Sequence, residues 1–422
     1  MRFTAVDYKP IGGALSATSS GTWLRLNQHQ HLDQHGFVQR RSTQTQQLLY
    51  INDLVKSYNT KTQLDIIYLD FSEAFDKVSH HKLLRILDHY NLNYKLVSWI
   101  KSFLFNRTQR TVVNNCFSHY IPVTSGVPQG SVLGPLLFIT YLQDLINTVD
   151  HYCSSVSIYA FADDLKIFSS NPVELQHALN ITTNWIKLWN LHLNTAKSEH
   201  ITIQDKTSRQ FYIGNEEIPK VKSVRDLGVT LTSDMKWNTY INKVKARAIN
   251  LSNIILHTFS PHHTHLLINL YKSYIRPIVE YNTCTWSPHL KNDISQIESV
   301  QKNFTRRLCQ RSNIKYSSYE DRLKIFKLET LESRRVKNDL VMLYKIVNQI
   351  VDINFSSLFQ FSSFGGYSMR RHKLHIRCLH NFKSNQNFFS CRVVSVWNSL
   401  PEDIVTSCTL SVFRRKLKSI SF

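Results

Sequence analysis

The sequence has no uninterrupted apolar run long enough to span a bilayer, and its opening residues lack the charged-then-apolar pattern of a secretory leader. An intracellular setting away from membranes is therefore expected. The seven cysteines (Cys116, Cys153, Cys284, Cys309, Cys378, Cys391 and Cys408) are odd in number and scattered, without the paired spacing of a zinc site or a disulfide framework. His257, His262, His263 and His265 cluster but have no cysteine partner at metal-ligand spacing, which argues against zinc. Internal repeats are absent. Acidic residues are scarce: 30 Asp and Glu stand against 51 Lys and Arg, a net charge of +21. That exceeds what solubility requires and points to a polyanionic partner, for which nucleic acid is the best fit.

The basic excess is uneven. Residues 1–170 hold 15 Lys and Arg against 12 Asp and Glu, leaving 36 against 18 for residues 171–422. A carboxylate-built active site belongs in the near-neutral first part, and phosphate-gripping surfaces in the second. At 422 residues, two or three domains are expected.

The segment GGALSATSSGT after Ile11 reads as flexible. Apolar spacing predicts a helix over 44–57, a strand over 65–70, helices around 83–90 and 97–105, and another opened by Pro135. A strand, turn and strand follow over 157–168, then a helix beyond Pro172 and short strands near 201–203, 211–213 and 229–231. The remainder is helical in pattern, with Trp237, Ile241, Val244, Ala248, Leu251 and Ile255 marking one amphipathic face. On a second such helix Lys302, Arg306 and Arg307 fall outside the apolar stripe, as a solvated face or a nucleic-acid contact would place them.

Two carboxylate sources stand out. Asp70 ends an apolar strand, so its side chain belongs at a sheet edge; Asp163-Asp164 sits between two apolar strands. Turn chemistry alone accounts for an aspartate pair. Adjacent like charges repel, however, and that arrangement suits a cation. Nucleotide joining needs an activated hydroxyl and a stabilised pyrophosphate, which two neighbouring Mg²⁺ ions held by hard carboxylate oxygens supply.

From about Gln34 onward the sequence resembles the reverse transcriptases of non-LTR retrotransposons of the jockey and chicken-repeat kind. The resemblance rests on YLDFSEAFDKV from Tyr68, SGVPQGSVLGPLLF from Ser125 and YAFADDL from Tyr159, which match the family's motifs A, B and C in order. It implies an α+β, right-hand polymerase fold with an antiparallel palm sheet, followed by a helical thumb and carboxy-terminal region. It implies Asp70, Asp163 and Asp164 as metal ligands for two Mg²⁺ ions, or Mn²⁺ in their place. Phe71 and Phe75 then lie beside the incoming nucleotide, with Phe75 as a bulky gate against a 2′-hydroxyl; a plain core aromatic is the other reading. Pro128, Gln129 and Gly130 match the loop against template and nucleotide, unless they form only a tight turn. Lys197 matches motif D, near the leaving pyrophosphate, although an ordinary surface lysine fits the same position. Leu227-Gly228 matches the primer-contacting turn, with Asp226 standing where an aromatic is usual.

The implied partners are an RNA template, a DNA primer and deoxynucleoside triphosphates. The implied organisation is a truncated fingers segment over 1–33, fingers remnant and palm over 34–205, the end of the palm and the thumb over 206–290, and a basic helical region over 291–422. No counterpart of the family's endonuclease domain is recognisable, and most of the finger segments upstream of Gln34 are unmatched. A non-catalytic remnant that binds nucleic acid through its basic half is therefore the alternative to an active RNA-directed DNA polymerase.

Overall fold

A computed structural model describes residues 34–362, 374–379, 386–420 and 422. The glycine-serine stretch expected to be flexible, and the truncated-fingers reading of residues 1–33, fall outside these residues. The chain divides into two compact units, Met1–Gln46 with Thr62–Lys222, and Gln47–Lys61 with Ser223–Phe422.

Helix α1 (Thr43–Asn59) is followed by β1 (Leu64–Leu69), α2 (His80–His89) and α3 (Tyr94–Leu104). Four two-residue strands come next: β2 (Thr108–Gln109), β3 (Val112–Val113), β4 (Cys116–Phe117) and β5 (Ile121–Pro122). The first unit continues with α4 (Leu133–Tyr152), β6 (Ser157–Phe161), β7 (Asp164–Ser169), α5 (Pro172–Leu188), β8 (Glu199–Ile203), β9 (Tyr212–Ile213) and β10 (Glu216–Glu217).

The central sheet runs β6-β7-β1-β8, and every pairing in it is antiparallel. Strand β1 occupies an interior position because LDIIYL is apolar on both faces, and all its residues but Tyr68 are buried. Ile67 and Leu69, two apart and so on one face, join Ala160, Leu165 and Ile167 in a core closed by Leu142, Leu145 and Val149 of α4 and Leu175 and Leu179 of α5. Helix α5 starts where Asn171 accepts hydrogen bonds from the Val173 and Glu174 N–H groups at 3.1 and 3.4 Å, with Pro172 in the first turn.

The second unit holds most of α1, resumes at the hairpin β11 (Ser223–Asp226) and β12 (Val229–Thr232), and is otherwise mainly helical. Helix α6 (Asn238–Thr258) buries Ile241, Val244, Ala248 and Ile255, as their spacing predicts. It packs against α7 (Lys291–Arg311), which buries Ile297, Val300, Phe304 and Leu308. On α7, Lys302 and Arg306 are exposed, while Arg307 reaches the Asn253 side chain. Trp397 and Phe413 centre a further core, packed beneath α8 (Leu331–Val347). Among the described residues, no helix is long and apolar enough to cross a membrane.

Candidate active site

The apolar run that makes β1 a buried strand also decides where Asp70 stands. The last β1–β7 pair is Leu69 with Leu165, so Asp70 is the first residue past the ladder, next to Asp164 at the start of β7. Three hydrogen bonds and a bridge fix Asp70 and its neighbours. The Ser72 N–H donates to the His192 carbonyl at 2.9 Å, and the Asn194 N–H donates to the Asp70 carbonyl at 2.8 Å. Phe71, which is buried, bridges Leu193, and the Asp70 N–H donates to Ser198 Oγ at 3.3 Å. Lys197 lies in the same pinned loop, exposed, its N–H donating to the Asn194 carbonyl at 3.1 Å.

Asp163 occupies the tip of the β6–β7 hairpin, whose final pair is Phe161 with Asp164. The two-residue turn requires Ala162 to adopt φ +55°, a left-handed conformation that costs a side-chain-bearing residue energy. The buried Gln34 side chain holds this turn. Its Oε1 accepts from the Ala162 N–H at 2.9 Å and from the Gly36 N–H at 2.7 Å, and its Nε2 donates to the Ala162 carbonyl at 3.2 Å. The His35 N–H donates to the Ala160 carbonyl at 2.8 Å. Gly36 permits the approach, since a Cβ there would lie 2.3 Å from the Ala162 nitrogen.

Asp163 is half-buried, and burial pushes its carboxyl above the ordinary range; a hydrogen bond from its own backbone opposes this, and the Asp70 carboxylate raises it further. Asp163 therefore feels the Asp70 charge across the end of the sheet. Hard oxygen donors converging with mutual repulsion fit a divalent cation such as Mg²⁺. Asp164 is exposed, and among the described residues no group of three or more His, Cys, Asp or Glu side chains is gathered to hold a metal.

Motif B is stitched to the loop beyond Asp70. The Gly126 N–H donates to the Val78 carbonyl at 2.8 Å, and the Val127 N–H to the Phe75 carbonyl at 2.9 Å. Gly126 sits at φ +88°, and a Cβ there would lie 2.8 Å from the Asp76 backbone. Gln129, exposed, donates through Nε2 to both carboxylate oxygens of Asp76 at 2.9 and 3.1 Å. Pro128 is half-buried and its carbonyl accepts from Ser131 Oγ at 2.7 Å. Gly130, at φ +81°, faces open space. Phe75 is half-buried, stacked on Phe138 with ring centroids 4.3 Å apart and edge-on to Phe37 at 6.4 Å.

In the second unit Leu227 and Gly228, at φ +44° and +85°, form the two-residue turn of the β11–β12 hairpin. Successive positive φ values match a type I′ turn, which suits a hairpin's twist. Tyr281 braces it: its hydroxyl donates to the Leu227 carbonyl at 2.9 Å, and its ring would lie 3.2 Å from a Cβ on Gly228. Asp226 is buried, and its carbonyl accepts from Gln47 Nε2 at 2.5 Å. The first unit thus gathers Asp70, Asp163, Phe71 and Phe75, with Pro128, Gln129 and Gly130 tied on through the Asp76 loop. Sequence reasoning does not find Gln34, Asp76 or Ser198; the glutamine three residues ahead of Phe37 marks only where the family resemblance begins.

Residues 3–231 match the family Reverse transcriptase (RNA-dependent DNA polymerase). The probable RNA-directed DNA polymerase from transposon X-element of Drosophila melanogaster is 26% identical over 285 residues, covering 65% of this chain and 31% of that protein. The RNA-directed DNA polymerase from mobile element jockey of the same organism is 26% identical over 295 residues, with the same two coverages. The chain thus spans about a third of the length of these relatives. A solved telomerase from Candida tropicalis aligns at 11% identity with a TM-score of 0.40, over 78% of this chain and 55% of that one. With more than half of its residues matching, and with motifs A and C on neighbouring strands of one antiparallel sheet, the chain belongs to the reverse transcriptase family.

Proposed function

We propose that this chain extends a DNA primer on an RNA template, taking deoxynucleoside triphosphates and releasing pyrophosphate. The observation that carries the reading is the convergence of Asp70 and Asp163 at the end of the central sheet, where the Asp70 charge raises the cost of ionising Asp163. These two side chains hold Mg²⁺ in the proposed active state, Asp164 completes the set from the adjacent strand position, and Mn²⁺ substitutes. When bound, the ions supply charge to lower the pKa of the primer 3′-hydroxyl and to neutralise the departing pyrophosphate.

The chain's own residues position the reactants. In-line attack of the 3′-oxygen on the α-phosphorus needs the triphosphate held in a narrow range of positions. Phe75 walls the sugar, its ring fixed by its stack on Phe138, while the buried Phe71 anchors the loop that leads to it. Gln129, oriented by the Asp76 carboxylate, and the open backbone at Gly130 offer hydrogen bonds and close approach to the template–nucleotide pair. Lys197 supplies a positive charge, and a proton, to the leaving pyrophosphate. The Leu227-Gly228 turn holds the primer end, and Lys302 and Arg306 add phosphate contacts.

Primer extension by the purified chain on an RNA template, compared with Asp163→Ala, tests this. Template-dependent synthesis lost in the variant, with template binding retained, is the expected result. Equal synthesis by both proteins would remove Asp163 from the mechanism. Binding without synthesis by either protein would favour the non-catalytic alternative.

A further inference from the structure

Between α3 and α4 the chain forms an arm that the proposed mechanism does not use. Every residue from 108 to 122 is exposed, including Val113, Phe117 and Tyr120, each about 60% accessible. The arm is a narrow hairpin. Strands β3 and β4 meet through Asn114-Asn115, both at positive φ, and β2 pairs with β5 further down.

The two short ladders are out of step. Val112 faces Phe117, and one continuous register would set Thr108 opposite Ile121; Thr108 instead faces Pro122. The return strand therefore carries one extra residue, a bulge lying opposite Arg110. Phe117 and Tyr120 are three residues apart and would point to opposite faces of a regular strand. The bulge brings them to the same side, because an extra residue re-aims the side chains beyond it. The Arg110 guanidinium fills the place between them, 4.0 Å from the Phe117 ring centroid and 4.9 Å from that of Tyr120.

Two aromatic faces interleaved with a guanidinium, on a strand with no core behind it, form a platform on which bases stack and phosphates pair. The surrounding charge selects the partner. From His89 to Gln143 there is no acidic residue, while Lys95, Lys101, Arg107 and Arg110 all lie in that stretch. A protein-binding arm has no need of a 55-residue interval free of acids, whereas a polyanion does. We propose that the residue 108–122 arm is a binding surface for single-stranded RNA, with Phe117 and Tyr120 stacking on bases and Arg110 bound to the backbone between them. The inference rests on the proposed function only in taking the strand to be the unpaired part of an RNA template.

The test is equilibrium binding by the full chain, without nucleotides, of a fluorescein-labelled unstructured RNA oligonucleotide, an RNA duplex of equal length, and the corresponding single-stranded DNA. Phe117→Ala with Tyr120→Ala should weaken single-stranded RNA binding by about tenfold or more while changing duplex affinity little. Arg110→Ala should in addition flatten the salt dependence by about one counterion, and Arg110→Lys should keep that slope while losing part of the affinity. Because these side chains are exposed, melting temperature should stay at the wild-type value, separating lost contact from lost fold. Wild-type affinity for all three probes in every variant would overturn the proposal. So would a wild-type dimer that the same substitutions dissociate without loss of RNA affinity, since the arm would then be a self-association surface. Stronger binding of the DNA strand than the RNA strand would overturn the assignment to RNA. Turnover is not required, so failure here leaves the polymerase reading intact, and loss of activity in Asp163→Ala leaves this binding unchanged.

Discussion

The side-chain amide of Gln34 closes around the backbone of Ala162, accepting from its N–H at 2.9 Å and donating to its carbonyl at 3.2 Å. Ala162 is held at φ +55°, one residue before Asp163. A glutamine 128 residues away in sequence thus sets the backbone that aims the side chain proposed to bind metal. Gln34→Ala leaves two buried N–H groups, those of Ala162 and Gly36, without their partner and should lower stability by about 1–3 kcal/mol or more. It should also reduce the maximal extension rate more than it raises the nucleotide KM, because misdirection of Asp163 acts on the chemical step. Ala162→Gly relieves the left-handed backbone and should raise the denaturation midpoint slightly. Full activity in Gln34→Ala would reduce the clamp to a purely structural contact.

Asp163 gives a prediction of opposite sign for stability and activity. Its folded-state pKa lies above the ordinary carboxyl value, through burial first and the Asp70 charge besides, so the folded protein favours the protonated form. Ionisation then destabilises the fold as pH rises from the ordinary carboxyl value through the raised one, and that destabilisation is present at neutral pH. Asp163→Asn removes the charge while keeping the shape. At pH 7 in EDTA it should melt at the wild-type temperature or above, while primer extension is abolished. In the wild type, Mg²⁺ should raise the melting temperature; in the variant it should raise it less. A variant markedly less stable than wild type at pH 7 would contradict the electrostatic reading.

Phe75 has one observed role and one proposed role, and one substitution separates them. Stacked on Phe138 at 4.3 Å, it is part of the core's edge, and Phe75→Val should cost ~2 kcal/mol of stability. As a wall beside the sugar, it should also exclude ribonucleotides by bulk. Paired rates of ribo- and deoxynucleotide addition should show the ratio shifting toward ribonucleotides by about tenfold, which is within what a steric pocket supplies. A stability loss with an unchanged ratio would leave Phe75 a core aromatic alone.

The parts of the site that are legible in sequence are those set by local pattern. The run from Leu64 to Leu69 has to be a buried strand, so Asp70 has to stand at its end, and two apolar strands around Asp163-Asp164 have to turn there. The features that escape are set by distant partners or by irregular backbone. Nothing near Ala162 announces a positive φ, because the glutamine that enforces it comes from another part of the chain. The 108–122 arm is invisible to pattern because its ladders are two residues long and out of register, which destroys the alternation that marks a strand. The Leu227-Gly228 turn is found from its resemblance, yet its support by Tyr281 is not, since 54 residues separate them.

Asp65, at the far end of β1 from Asp70, carries only a strand residue's signature in the sequence, yet it anchors a buried polar cluster. It is fully buried, and its carboxylate accepts hydrogen bonds from Arg209 Nη1 at 2.7 Å, Thr202 Oγ1 at 2.9 Å and His200 Nε2 at 3.0 Å. Burial acts to raise its pKa, but the bonds from His200, Arg209 and Thr202 together outweigh that and hold it below the ordinary value. A depressed carboxyl pKa contributes stability that is fully present above the unfolded value, about 4, and is lost as pH falls through the folded one. Arg209→Ala removes one partner and leaves a buried charge undercompensated, at a cost of about 2–4 kcal/mol at pH 7. The difference in urea midpoint between wild type and variant should narrow below pH 4, where the carboxyl protonates in both unfolded chains and then in both folded ones. Five residues of strand separate this cluster from Asp70, roughly 17 Å, so the folded variant should keep the wild-type nucleotide KM. A midpoint difference that stays constant from pH 7 to pH 3 would mean that Arg209 stabilises the fold by packing and not through the Asp65 charge.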